Sequence, residues 1–236
     1  MRIVDLSVPV RAGMQVYPGD PAVELDRAVR LEVDGVNVLA IHAGSHTGTH
    51  VDAPFHVLAD GARLDELDLG LFHGPAVVAD VRGLPPRAAI GWPALEPYAR
   101  RLRPGVVLVL HTGWSAHFGT RAYLAHPWLT PDAARRIVAT GVRTVALDAL
   151  SPDPTESEGD PGSSGGAAGS SCGAGSSGGP FPAHQILLGT GGVIVENLTN
   201  VAAMAELADP VLSCFPLALA GADGAPVRAV AMSRTT

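Results

Sequence analysis

Cysteine is scarce in this 236-residue chain: Cys172 and Cys214 lie far apart and form no Cys-x-x-Cys pair. Neither a disulfide scaffold nor a cysteine-based zinc site is suggested, and a reducing compartment fits. Basic residues are also few, 16 against 23 acidic ones, and the nearest approach to a basic cluster, Arg100, Arg101 and Arg103, stops at Pro104. Nucleic-acid binding would want a Lys/Arg stripe, so no such partner is expected. The negative balance argues mainly for solubility. Long apolar runs are missing as well. Nothing approaches the roughly 18 residues of a membrane span, and Asp5 interrupts the stretch where a signal peptide would be apolar. The expectation is a cytoplasmic protein with no membrane partner.

What is present suffices for a core, with 47% hydrophobic and 17% charged residues. One domain spanning residues 1–236 is expected. Residues 3–10, 29–38, 39–42, 75–81, 106–111 and 142–147 are rich in branched apolar side chains between Gly and Pro, and are read as strands. The segment 130–138 is read as a helix, with Thr130 as cap, Pro131 in the first turn and Gly141 as stop. Residues 91–102 are read as partly helical, broken by prolines. From Gly159 to Gly179 nine glycines and six serines occupy 21 positions. That composition cannot offset its ordering entropy, so a flexible loop is predicted, either an inert insertion or a lid.

The informative stretch is Ser45-His46-Thr47-Gly48-Thr49-His50-Val51-Asp52-Ala53-Pro54-Phe55-His56. His46, His50, Asp52 and His56 occupy even positions, so in an extended chain they would share one face, with Gly48 leaving room between two of them. Imidazole nitrogen and carboxylate oxygen are the ligand types for Zn²⁺ or Mn²⁺, and an aspartate can bridge two ions. Burying these groups together without a cation would cost several kcal/mol. Further along, Glu196 ends a strongly apolar strand, an expensive place for a carboxylate unless it meets a cation, and His184 precedes it. His42 would continue the same strand face. His73, His111, His117 and His126 are expected to be structural or exposed, and Cys172 to be exposed and without a catalytic role.

At these residues the chain resembles the metal-dependent cyclase family, which includes bacterial kynurenine formamidases and isatin hydrolases. The family motif His-x-Gly-Thr-His-x-Asp-x-Pro-x-His is matched from His46 to His56. Other landmarks are Ile3 to Ser7, Tyr17-Pro18-Gly19-Asp20, Thr112-Gly113-Trp114, Ala146 to Asp148 with Ser151 to Asp153, and His184 to Leu198.

The resemblance implies an α/β fold of the swivelling β/β/α type with a mixed, strand-rich core, assembled as a homodimer or homotetramer. It implies two divalent ions, Zn²⁺ or Mn²⁺. His46, His50 and Asp52 would hold one, Asp52 and His184 the other, and Glu196 would contact both. His56 would be the proton donor and acceptor, or alternatively a further ligand. Tyr17 stands where kynurenine formamidases typically carry a Trp against the substrate, and can still stack on an aromatic ring. The implied activity is hydrolysis of an N-formyl aryl amide by activated water, acting on a C–N bond other than a peptide bond. The alternatives are ring opening of a lactam or lactone, a natural-product cyclase or dehydratase reaction, and a non-catalytic metal-binding module.

Overall fold

A computed structural model describes residues 2–155 and 180–233. The Gly/Ser-rich run at 159–179, with Cys172, lies outside them. The chain opens with β1 (Ile3–Asp5), followed by a hairpin of β2 (Glu24–Val29) and β3 (Val38–His42) joined through α1 (Leu31–Asp34). Next come β4 (His50–Asp52), β5 (His73–Asp80), β6 (Ala89–Ile90), α2 (Trp92–Leu95), β7 (Val107–His111), β8 (Trp128–Leu129), α3 (Pro131–Ala139) and β9 (Thr144–Leu147). The described residues close with α4 (Pro182–Leu188), β10 (Val193–Glu196), α5 (Val201–Ala205), β11 (Pro210–Ser213), β12 (Gly224–Pro226) and β13 (Val230–Ser233).

Nine strands form one mixed sheet in the order β1-β13-β11-β5-β7-β9-β10-β4-β12. Its centre, β5-β7-β9-β10, is parallel, and its flanks are antiparallel. Central strands buried on both faces should read as unbroken apolar runs, and β7, Val-Leu-Val-Leu-His, does so. Its residues alternate between two cores. Leu108 and Leu110 pack with α2, α3 and α4 through Leu95, Ile137 and Leu187, whereas Val107 and Val109 face a second cluster. To that cluster Val4, Ala231, Leu212, Ala76, Ala146, Val195, Val51 and Ala225 bring the other eight strands of the sheet. The sheet therefore curls around its own inner face. A bridge between Ser7 and Leu198 ties the segment after β1 to the end of β10.

Of residues 29–38, read as a strand from their apolar content, only Val29 and Val38 are strand, ending β2 and opening β3, and 30–37 form the hairpin connection. The Asp34 carboxylate accepts from the Arg30 amide, the Asn37 side chain accepts from the Leu31 amide, and Gly35 turns the chain at φ 75°. These local bonds outcompete strand propensity. The helix read at 130–138 is α3, with the Thr130 hydroxyl accepting from Ala133 N at 3.2 Å. In 91–102 a single α-turn gives way at Glu96 to a 3₁₀ segment. No helix among the described residues is long and apolar enough to cross a membrane.

Candidate metal centre

Chemistry gathers at the carboxyl end of the parallel strands, where open α/β sheets place their sites. Glu196 is the last residue of β10, and antiparallel β4 pairs with it so that His50 lies opposite Glu196 and Asp52 opposite Ile194. His50, Asp52 and Glu196 thus share a face, while Val51 and Val195 turn to the inner core. His184 arrives on α4, whose N-terminus is held by Asp153, a carboxylate accepting from Ala183 N at 2.8 Å and His184 N at 2.9 Å.

The uniform strand expected from His46 to His56 is not formed: only His50–Asp52 is strand, and Pro54–His56 is a 3₁₀ turn. His46 nevertheless joins the cluster, because Gly48 bends the chain at φ 62°. Gly48 does not serve to leave space for an ion. A Cβ there would meet Met14 and Val10, and its carbonyl accepts from His50 Nδ1 at 2.8 Å and Asn197 Nδ2 at 2.9 Å. His42 is exposed on the hairpin, away from the cluster. His126 is buried between Pro127 O and Thr155, His73 bonds Ser213, and His117 packs on Trp114. His111 is buried 3.9 Å from Asp148.

Each candidate histidine ligand has one ring nitrogen anchored and the other aimed inward. His50 Nδ1 faces a carbonyl, which only accepts, so Nδ1 carries a proton and Nε2 points at Asp52 (3.2 Å) and Glu196 (3.3 Å). His184 Nδ1 bonds Asp153 at 2.7 Å, leaving Nε2 at 3.6 Å from Asp52 and 3.4 Å from Glu196. His46 bonds Asp223 at 2.9 Å through Nε2, with Nδ1 at 2.7 Å from Asp52. Such outer anchors fix the tautomer of metal-binding histidines.

Inward nitrogens facing buried carboxylates need positive charge between them, supplied by protons on the rings or by a cation that displaces those protons. Among the described residues, His50 Nε2, Asp52 Oδ2 and Glu196 Oε1 have no hydrogen-bond partner, a state costing several kcal/mol without a proton or cation among them. The electrostatics agree. Burial opposes a charged imidazole at His46, yet Asp223 and Asp52 outweigh it and raise its pKa to about 9. At His50 burial is outweighed by Asp52 and Glu196, which raise it to about 10. Burial likewise opposes charge at Asp52, but His50, His184 and His46 hold its carboxyl well below the ordinary range. The residues therefore fit a divalent cation. Ligand atoms within 4.8 Å of one another fall into two groups, His50-Asp52-Glu196 and His46-Asp52-His56, and Asp52 belongs to both.

A cavity of about 370 Å³ opens over the cluster, with Tyr17, Asp20, His56, Phe181 and Asn197 on its walls. The Tyr17 and Phe181 rings meet edge-on at 6.4 Å. Phe181 adopts φ 61°, a strained conformation for a bulky side chain, of the kind found at functional sites. Burial raises the pKa of Asp20.

The family described as putative cyclase matches residues 4–154. The chain belongs to the cyclase family. Kynurenine formamidase of Sphingopyxis alaskensis is 32% identical over 239 residues, covering 97% of each chain. Isatin hydrolase A of Labrenzia aggregata, solved with benzyl benzoate, superposes with a TM-score of 0.80 at 23% identity, over 99% of this chain and 94% of that one. A protein described as a predicted metal-dependent hydrolase, from Bacillus stearothermophilus, superposes with a TM-score of 0.70 at 23% identity, over 99% and 98%. These likenesses carry the mixed α/β fold with its curled sheet.

Nothing in the sequence alone singles out Asp223, Asn197 or Phe181, and Asp153 stands there only as a landmark of the resemblance. The available signals were slight. Asp223 is a lone acid within Ala220-Gly221-Ala222-Asp223-Gly224-Ala225, and Asp153 lies in Ser-Pro-Asp-Pro, which reads as a turn.

Proposed function

We propose that this cyclase-family chain is a metal-dependent hydrolase of a small amide, acting on an N-formyl aryl amide as kynurenine formamidases do. The observation that carries this reading is the set of inward-facing nitrogens on His46, His50 and His184 around Asp52 and Glu196, with three buried polar atoms lacking partners. In the proposed assignment His46, His50, Asp52, His184 and Glu196 hold one or two ions, Zn²⁺ or Mn²⁺, with Asp52 shared. A divalent cation there would polarise a carbonyl and ease the deprotonation of water near neutral pH.

The chain's own residues do the rest. Tyr17 and Phe181 form an apolar wall against which a planar aryl ring can stack. Gly48 O, Asp153 and Asp223 hold the three imidazoles in one tautomer each. His56, on the cavity wall with a side chain 31% exposed, takes a proton from the water attacking the carbonyl carbon. It returns that proton to the leaving nitrogen as the C–N bond breaks, giving an aryl amine and formate.

A homo-oligomer is supported by the apolar hairpin, where Val33 and Ile41 are 80% and 67% exposed. A cytoplasmic location is supported by Cys214, a free, buried thiol.

The test is hydrolysis of N-formylkynurenine and of isatin by metal-stripped protein with Zn²⁺ or Mn²⁺ restored. Metal-dependent turnover of N-formylkynurenine is expected. Turnover of isatin alone would move the assignment to ring opening, and turnover of neither, with metal bound, would refute both.

A further inference from the structure

Asp223 stands just before β12, outside the motif that supplies the histidines. Its carbonyl accepts from Ala53 N at 2.8 Å, which ties its loop to the residue following β4. Its side chain brings one oxygen, Oδ2, within 2.9 Å of His46 Nε2 and 3.3 Å of His56 Nδ1. The two rings lie with centroids 4.0 Å apart. His56 otherwise has little to orient it, since it sits at the end of a single 3₁₀ turn and its side chain is part-exposed. Among the described residues, no other group hydrogen-bonds its ring.

A carboxylate only accepts, so the bond to His56 places a proton on Nδ1 and leaves Nε2 with its lone pair free. Nε2 is then the atom available to receive a proton. We propose that Asp223 is a positioning residue for His56, selecting the tautomer and ring orientation that aim Nε2 at the substrate, and linking that orientation to ligand His46 through one shared oxygen. The proposal rests on the hydrolase reading for its kinetic consequence, though not for the geometry. If the ring is correctly placed only part of the time, turnover falls to that fraction of its full value while ground-state binding is spared.

The experiment is a double-mutant cycle on metal-loaded protein: wild type, Asp223→Asn, His56→Ala and the double variant. N-formylkynurenine turnover and metal affinity by chelator competition are measured for each, together with ¹⁵N NMR of the His56 ring. At saturating metal Asp223→Asn is expected to lower kcat about 10- to 100-fold with KM within about threefold, and to leave kcat unchanged when His56 is already Ala; metal affinity is expected to fall through His46 by a similar factor in both backgrounds. The wild-type His56 ring is expected to be Nδ1-protonated, and a tautomer mixture is expected in Asp223→Asn. Equal kcat losses in both backgrounds, or a kcat restored to the wild-type value by saturating metal, would overturn the proposal, because Asp223 would then act only through His46 or the fold. Failure of the hydrolase reading is a separate result. If no substrate turns over, the NMR arm decides, and an Nε2-protonated His56 in wild type overturns the positioning role.

Discussion

Replacing Asp52 by alanine removes the anion around which the cluster is built. Its carboxylate lies 2.7 Å from His46, 3.2 Å from His50 and 3.6 Å from His184, and is 1% exposed. In metal-free protein, breaking such a buried pair costs about 3–5 kcal/mol. A chain of this length shifts its melting temperature by roughly 2–4 °C per kcal/mol, so Asp52→Ala should lower the metal-free Tm by about 6–20 °C. The second effect concerns metal. An ion supplied at about 1,000 times its Kd adds about 4 kcal/mol to the folded state, which is a rise of about 8–16 °C in wild type. Asp52→Ala should abolish that rise and all turnover, since both groups of candidate ligands include this residue. Differential scanning fluorimetry of stripped and Zn²⁺- or Mn²⁺-loaded proteins, alongside the hydrolysis assay, reads both effects. A variant that keeps the metal-induced rise and turns over substrate refutes the shared-aspartate assignment.

Asp153→Asn removes the charge that fixes His184 Nδ1 and should weaken metal binding about 10- to 100-fold by chelator competition. Gly224→Ala would place a Cβ 2.6 Å from Val51 O and 2.8 Å from His46 Cε1; reduced metal content and activity are expected, and unchanged values in both would contradict the packing described. In metal-free protein the folded pKa values of His46 and His50 are raised to about 9 and about 10. The stability they contribute is therefore full below the unfolded value near 6.5 and is lost as pH rises through 9 to 10. Metal must displace those protons, so apparent affinity should climb steeply between pH 6.5 and 9, and a flat profile by calorimetry would count against the ligand assignment.

Much of the site was legible because its ligands are concentrated in one segment whose residue types have few other uses together. His46, His50 and Asp52 could be named as candidates from side-chain chemistry, whereas Glu196 and His184 needed the family resemblance. Alternation along a strand grouped residues that the fold does bring together, but through a partly different backbone, since Gly48 and Pro54 bend the chain at either end of a three-residue strand. Asp153, Asn197 and Asp223 were hidden because their roles depend on long-range placement. Asn197, for example, donates to Gly48 O and accepts from Tyr123 OH, partners 149 and 74 residues away. The central strands announced themselves by unbroken apolar runs. The connection at 29–38 did not, because Asp34 and Asn37 decide it through bonds to the backbone rather than through apolar content.

The pairing of β4 with β10 joins residues that leave the ribosome far apart in time. At about 5–20 residues per second, the His46 to Asp52 stretch emerges on the order of ten seconds before Glu196 exists to lie beside it. Through that interval the nascent chain carries a potential chelating peptide with no counter-strand, and any ion it captures is held without the outer anchors at Asp153 and Asp223. On the proposed ligand assignment, correct loading would be a late event, set by closure of the sheet rather than by synthesis of the motif.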